Sequence, residues 1–165
     1  MTWTRLHDAC QHQNKQLVIQ ISQCFSDEAV MVDDHGSTPL HIACWGNPPL
    51  EVVRCLLAAC PQVATDKDVL GNTPLHIAAS HPDTAPAVMS ALIDACPAAL
   101  SIVNKEGLTA LHMACRHAPS NELVISLLID AYPFALRTHT KVKLFCLAGQ
   151  NVKIHICLLT YALVF

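Results

Sequence analysis

Nine cysteines and ten histidines in 165 residues supply side chains that could hold a metal or arm a nucleophile. Three pairs stand three residues apart: His7 with Cys10, His41 with Cys44, and His112 with Cys115. On a helix that spacing puts both members on one face. Zinc needs about four such ligands converging on a point. A thiol nucleophile needs a base within reach and a third group to orient that base. Either chemistry therefore depends on which elements carry these pairs and whether they meet.

The elements are set by a phrase that recurs at intervals of about 35 residues, a period that signals stacked structural repeats. Gly36-Ser37-Thr38-Pro39-Leu40-His41-Ile42-Ala43-Cys44 returns as Gly71-Asn72-Thr73-Pro74-Leu75-His76-Ile77-Ala78-Ala79 and as Gly107-Leu108-Thr109-Ala110-Leu111-His112-Met113-Ala114-Cys115. Thr4-Arg5-Leu6-His7-Asp8-Ala9-Cys10 is a degraded copy. Glycine suits a tight turn at positive φ. Thr is a helix N-cap, a contribution of ~1 kcal/mol, and Pro fits the first helical position, where its missing N–H is not needed. Asp33, Asp68 and Asn104, three residues before each Gly, are side chains that brace a turn through the backbone. The phrase predicts a turn and then a short apolar helix.

A second helix is expected in each unit at Lys15 to Gln23, Leu50 to Ala59, Ala87 to Ala95 and Asn121 to Ala131. The sets Val52, Val53, Leu56, Leu57; Val88, Met89, Leu92, Ile93; and Val124, Ile125, Leu128, Ile129 recur at helical spacing. Pro48-Pro49, Pro82 with Pro86, and Pro119 break the chain between the helices of a pair.

On these residues the chain resembles the ankyrin repeat family, over roughly residues 2–138. The resemblance implies an all-α solenoid of about three full repeats plus a partial N-terminal one, with units near 2–32, 33–67, 68–103 and 104–138. It also implies that His7, His41, His76 and His112 tie neighbouring turns together through backbone hydrogen bonds. The units are slightly long, with the extra residues in the Pro-containing loop, and their Cys-Pro ending is unusual for the family.

The repeat register changes the meaning of the thiols. Cys10, Cys44 and Cys115 fall on one repeat position, which Ala79 fills in the remaining unit. Cys24, Cys60 and Cys96 share another, filled by Tyr132 in the last. A position that accepts Cys, Ala or Tyr is one that fills space, and free Cys packs as a small hydrophobe. No catalytic, cofactor-binding or metal-ligating residue is expected, and the reading as a Cys/His metal- or thiol-dependent enzyme is the weaker alternative. A net charge of −3 and a pI near 6.3 give no broad basic surface for nucleic acid. The start lacks the apolar core of a signal peptide, and an odd cysteine count suits reduced thiols in the cytoplasm or nucleus.

The expected function is protein binding, as an interaction module or adaptor, by a monomer. Carrying over the family's variable positions gives a partner-binding patch of turn tips and first-helix ends. The first tip contributes Asp34, His35, Ser37 and Trp45, and the next Val69, Leu70, Asn72, Ser80 and His81. The last adds Lys105, Glu106, Leu108, Arg116 and His117, and Trp3, Gln11 and His12 extend the patch at the N-terminal side. Trp and Arg are enriched at binding hot spots, and Val69-Leu70 is unusually apolar for a turn tip. Ordinary solvated surface is the competing reading, with Trp45 packed on Pro48 or Pro49.

Residues 139–165 leave the repeat pattern. Where a further phrase is due near position 142, the chain reads Val142-Lys143-Leu144-Phe145-Cys146-Leu147, and it ends in an apolar, β-branched run. Three readings remain open: a membrane tail anchor over Leu144 to Phe165, a cover for the last repeat, or sequence foreign to the array. A membrane helix needs ~20 apolar residues, and Gln150, Asn151, Lys153 and His155 interrupt the run.

Overall fold

A computed structural model describes residues 3–133. Eight α-helices alternate short and long: α1 Arg5–Gln11, α2 Lys15–Cys24, α3 Pro39–Trp45, α4 Leu50–Ala59, α5 Pro74–Ser80, α6 Pro86–Ala95, α7 Ala110–His117 and α8 Glu122–Ala131. Short 3-10 turns at Ser26–Val30, Pro61–Ala64 and Pro97–Ser101 follow α2, α4 and α6. No strand occurs among the described residues. The expected tail segment, 139–165, lies outside them.

Each unit is a helix pair, and the pairs stack in two layers. The first helices α1, α3, α5 and α7 pack on one another in order, as do the second helices α2, α4, α6 and α8. One continuous core runs between the layers, from Leu6 and Val18 through Leu40, Val53, Leu75 and Met89 to Leu111 and Leu128. A helix pair cannot bury its apolar faces alone, so adjacency is what stabilises each unit.

The helix starts follow from their residues. Pro39 and Pro74 take the first helical position of α3 and α5 after Thr38 and Thr73. Asn14 and Asn121 cap α2 and α8, their side chains accepting the N–H of Leu17 (3.1 Å) and Val124 (3.3 Å). Asn121 is thus the cap rather than the first residue of its helix, and α6 begins at Pro86, one residue earlier than the periodicity indicates.

Histidine bridges tie unit to unit. In each phrase the Thr backbone N–H donates to the imidazole Nδ1 three residues on, at 3.2 Å for His7, His41 and His76 and 3.3 Å for His112. The Thr hydroxyl also lies 2.7–2.9 Å from that nitrogen. On the other side of the ring, Nε2 lies 3.0 Å from the Ser37 carbonyl for His7, 3.1 Å from that of Asn72 for His41, and 3.0 Å from that of Leu108 for His76. A carbonyl only accepts, so Nε2 carries the proton and Nδ1 is left to accept. The neutral ring is satisfied on both sides, within a unit and across to the next.

Protonation would put a second N–H against the Thr amide, inside the core. Burial pushes the His76 pKa down to about 4, against the opposing pull of the Leu108 carbonyl. Burial lowers His41 and His112 as well.

Candidate functional site

The turn tips are built by one acid or amide each. Asp33 Oδ1 accepts the N–H groups of His35 and Ser37, both at 2.8 Å. Asp68 does the same for Leu70 and Asn72 at 2.8 Å, and Asn104 for Glu106 and Leu108 at 3.0 Å. The turn then needs positive φ, supplied by Gly36 (+70°), Gly71 (+78°) and Gly107 (+77°).

Successive tips are joined by single backbone bonds, Val69 N–H to the His35 carbonyl and Lys105 N–H to the Leu70 carbonyl, both 2.9 Å. That approach uses the bare glycine: a Cβ on Gly71 would sit 2.9 Å from the Lys105 nitrogen. Beneath the tips, Asn104 Nδ2 donates to Asn72 Oδ1 at 2.9 Å, a second polar link between units.

With the backbone spent on the turn and the neighbouring tip, the side chains at the apex are left to solvent. Asp34, His35, Val69, Leu70, Lys105 and Glu106 are all exposed, with Leu70 at 61%. At the helix ends, Trp45 is 54% exposed and meets His81 edge to face at 5.5 Å. Its side chain thus leans toward the next unit. Ser80 is half-buried and donates to the Ile77 carbonyl at 2.7 Å, a bond within its own helix. Arg116 Nη1 lies 2.6 Å from Glu106 Oε2, so these two expected contact residues pair with each other. His117 is exposed beyond them.

Three members of the expected patch do not belong to the surface. Ser37, Asn72 and Leu108 are buried, Leu108 to 1% exposure. All three share the position between Gly and Thr. There the N–H is taken by the tip Asp or Asn, and the carbonyl by the preceding unit's imidazole. Residue type varies at this position because the fold uses its backbone, not because the side chain is presented.

The exposed face is also larger than expected. Met31, Val32 and Val103, just before the tip residues Asp33 and Asn104, are each about 40% exposed. An apolar residue directly ahead of the turn-forming Asp or Asn was the available signal. In the middle unit Lys67 holds that place, its Nζ 3.3 Å from the Val103 carbonyl. At the N-terminal side Trp3 is 42% exposed, its ring 5.2 Å from that of His7.

The thiols sort by packing. Cys10, Cys44 and Cys115 are buried, and burial raises the pKa of Cys10 to about 12, of Cys115 to about 11, and of Cys44 further. A thiol held protonated is a poor nucleophile and a poor ligand. Cys60 is buried and Cys96 half-buried, but Cys24 at the end of α2 is exposed, so space-filling does not account for it. Among the described residues no three His, Cys, Asp or Glu side chains converge as a metal site would require, and no helix is long and apolar enough to cross a membrane.

Known proteins match the same part of the chain. The family model for ankyrin repeats, in three copies, matches residues 49–139. An ankyrin repeat protein of Rickettsia felis is 37% identical over 70 residues, which are 42% of this chain and 33% of that protein. The chain therefore spans about a third of the length of the curated relative it matches. Units before residue 49 repeat the geometry of those after it, since His7 and His41 make the same bridges as His76. With the stacked helix pairs, the bridging histidines and the family match over more than half its length, this chain belongs to the ankyrin repeat family.

Proposed function

We propose that this chain is an adaptor that binds another protein through the face made by the turn tips and the ends of the first helices. Ankyrin repeats generally mediate protein–protein interaction, and the finer assignment rests on what this face presents. The observation that carries it is the apolar apex Val69-Leu70, exposed on a tip held by backbone hydrogen bonds to the tips on both sides, with Trp45 on the neighbouring unit. Around these anchors stand Asp34, His35, His81, Lys105 and His117, with the Glu106–Arg116 pair at the far side. Apolar anchors with a polar rim are the usual anatomy of a protein interface.

The stack is ordered before contact, so binding costs little chain entropy. The reading is non-catalytic, in keeping with buried thiols held in their protonated form. The test is affinity capture with the full chain and with Trp45→Ala, Leu70→Ala and Arg116→Ala variants of equal helicity. Loss of the same bound protein from the variants supports this face. Unchanged binding by all three moves the interface elsewhere and overturns the assignment.

A further inference from the structure

The second-helix layer carries features that the tip face does not use. Two furrows run along it, one on each side of α6. The first, about 630 Å³, lies between α4 and α6 over Leu57, Ala58, Ala87 and Ala91. The second, about 570 Å³, lies between α6 and α8 over Ser90, Ile93, Leu123 and Leu127. Leu123 is 70% exposed, the highest value for a large apolar side chain among the described residues.

The α6/α8 furrow changes character along its length. Asp94 and Asp130 line it and are each the penultimate residue of their helix, beside Ala131. Two helix C-termini add negative partial charge at the same end. Pro86 and Leu123, in the first turns of α6 and α8, lie at the opposite, apolar end.

The chain's charge is divided in a complementary way. All thirteen Asp and Glu fall before residue 134, with six of the ten Lys and Arg. The other four cations, Arg137, Lys141, Lys143 and Lys153, follow it with no acid among them. Order matches as well: three of the cations come first, and the apolar run begins at Leu144. Distance permits the fit. Ten-residue helices make a furrow ~15 Å long, and the eight residue steps from Pro133 to Lys141 span up to ~26 Å when extended.

We propose that residues 137–165 dock in cis along the furrow between α6 and α8, their first cations at the Asp94 end and their apolar run over Ile93, Leu127 and Leu123. This contact lies on the second-helix layer and does not depend on the tip face binding a partner. It leaves that face open while covering apolar surface that would otherwise meet solvent.

Cys146 and Cys157 lie within the segment and report its cover. The experiment is the rate of their alkylation in the full-length protein, resolved by peptide mass spectrometry. The wild type is compared with Leu123→Arg, with the milder Leu123→Ser, and with Asp94→Lys, all at exposed positions. The expected result is alkylation at least ~10-fold slower than in a free peptide of residues 137–165, independent of protein concentration, and accelerated at least ~3-fold by each substitution, on the logic that protection tracks the closed population. Peptide-like rates in the wild type would overturn the proposal, as would rates that ignore all three substitutions. Protection that rises with protein concentration would assign the furrow to a second copy instead. Protection that appears only with phosphatidylserine-containing vesicles would assign the segment to a membrane. Either of the last two outcomes also overturns docking in cis.

Discussion

The seam between units and the face above it are built from the same repeated phrase, yet they follow opposite rules. In the seam, Thr and His return in every unit because each imidazole must meet one amide and one carbonyl at fixed distances. On the face, the equivalent helix-end residues are Gln11, Trp45, Ser80 and Arg116, four different chemistries at one structural place. Where a side chain must satisfy the same buried backbone groups in each unit, the sequence repeats; where it sits at the surface with contacts peculiar to its own unit, the units diverge. The comparison predicts that stability resides in the first set and recognition in the second.

Removing a bridge should have the largest effect. His76→Ala leaves the Thr73 amide buried without its acceptor, takes from the Leu108 carbonyl one of its two hydrogen bonds (the Asn104 N–H remains) and opens a cavity, a loss of ~3–5 kcal/mol. Urea unfolding checks this, and a loss under ~1 kcal/mol would break the distinction between seam and face.

Acid should attack the seam next. The unfolded chain takes up the His76 proton near pH 6.5, but the folded chain only near pH 4. The unfolded state therefore binds more protons between these values, and stability present at pH 7 drains away as pH falls from 6.5 to 4. His76 alone contributes on the order of 3 kcal/mol to that loss, and His41 and His112 act in the same direction. Thermal melts from pH 7 to 5 should show a falling midpoint that flattens in the His76→Ala variant.

Glycine substitutions then sharpen the picture at the boundary of the two regions. Gly71→Ala forces a side chain at positive φ and to 2.9 Å from the Lys105 nitrogen, and should cost ~2–3 kcal/mol. Gly36→Ala, whose nearest atom is the Val69 nitrogen at 3.3 Å, should cost less by ~1 kcal/mol. Smallest of all, Trp45→Ala and Leu70→Ala should shift stability by no more than ~0.5 kcal/mol.

Much of the seam was legible because it is written in side chains that recur. The turn Asp and Asn, the Thr and the His each perform one local task, so their types and spacing announced the helix pairs, and the family resemblance supplied the carbonyl partner. Ser37, Asn72 and Leu108 misled for the converse reason: the units share only the backbone bonds made at this position, so its side chain differs from unit to unit and looks like variable surface although all three are buried. The Trp45–His81 contact and the α6/α8 furrow were invisible in the sequence. Both arise between units, where the angle and distance of neighbouring helices decide what meets what.

The central claim is that neutral imidazoles, protonated at Nε2, bridge one unit to the next. Long-range nitrogen–proton NMR of the histidine rings reads this directly. For His7, His41 and His76 the account predicts the Nε2–H tautomer at pH 7, with His76 keeping it unchanged down to pH 5. An Nδ1–H tautomer at these residues, or a His76 ring titrating near pH 6.5 in the folded protein, would contradict it.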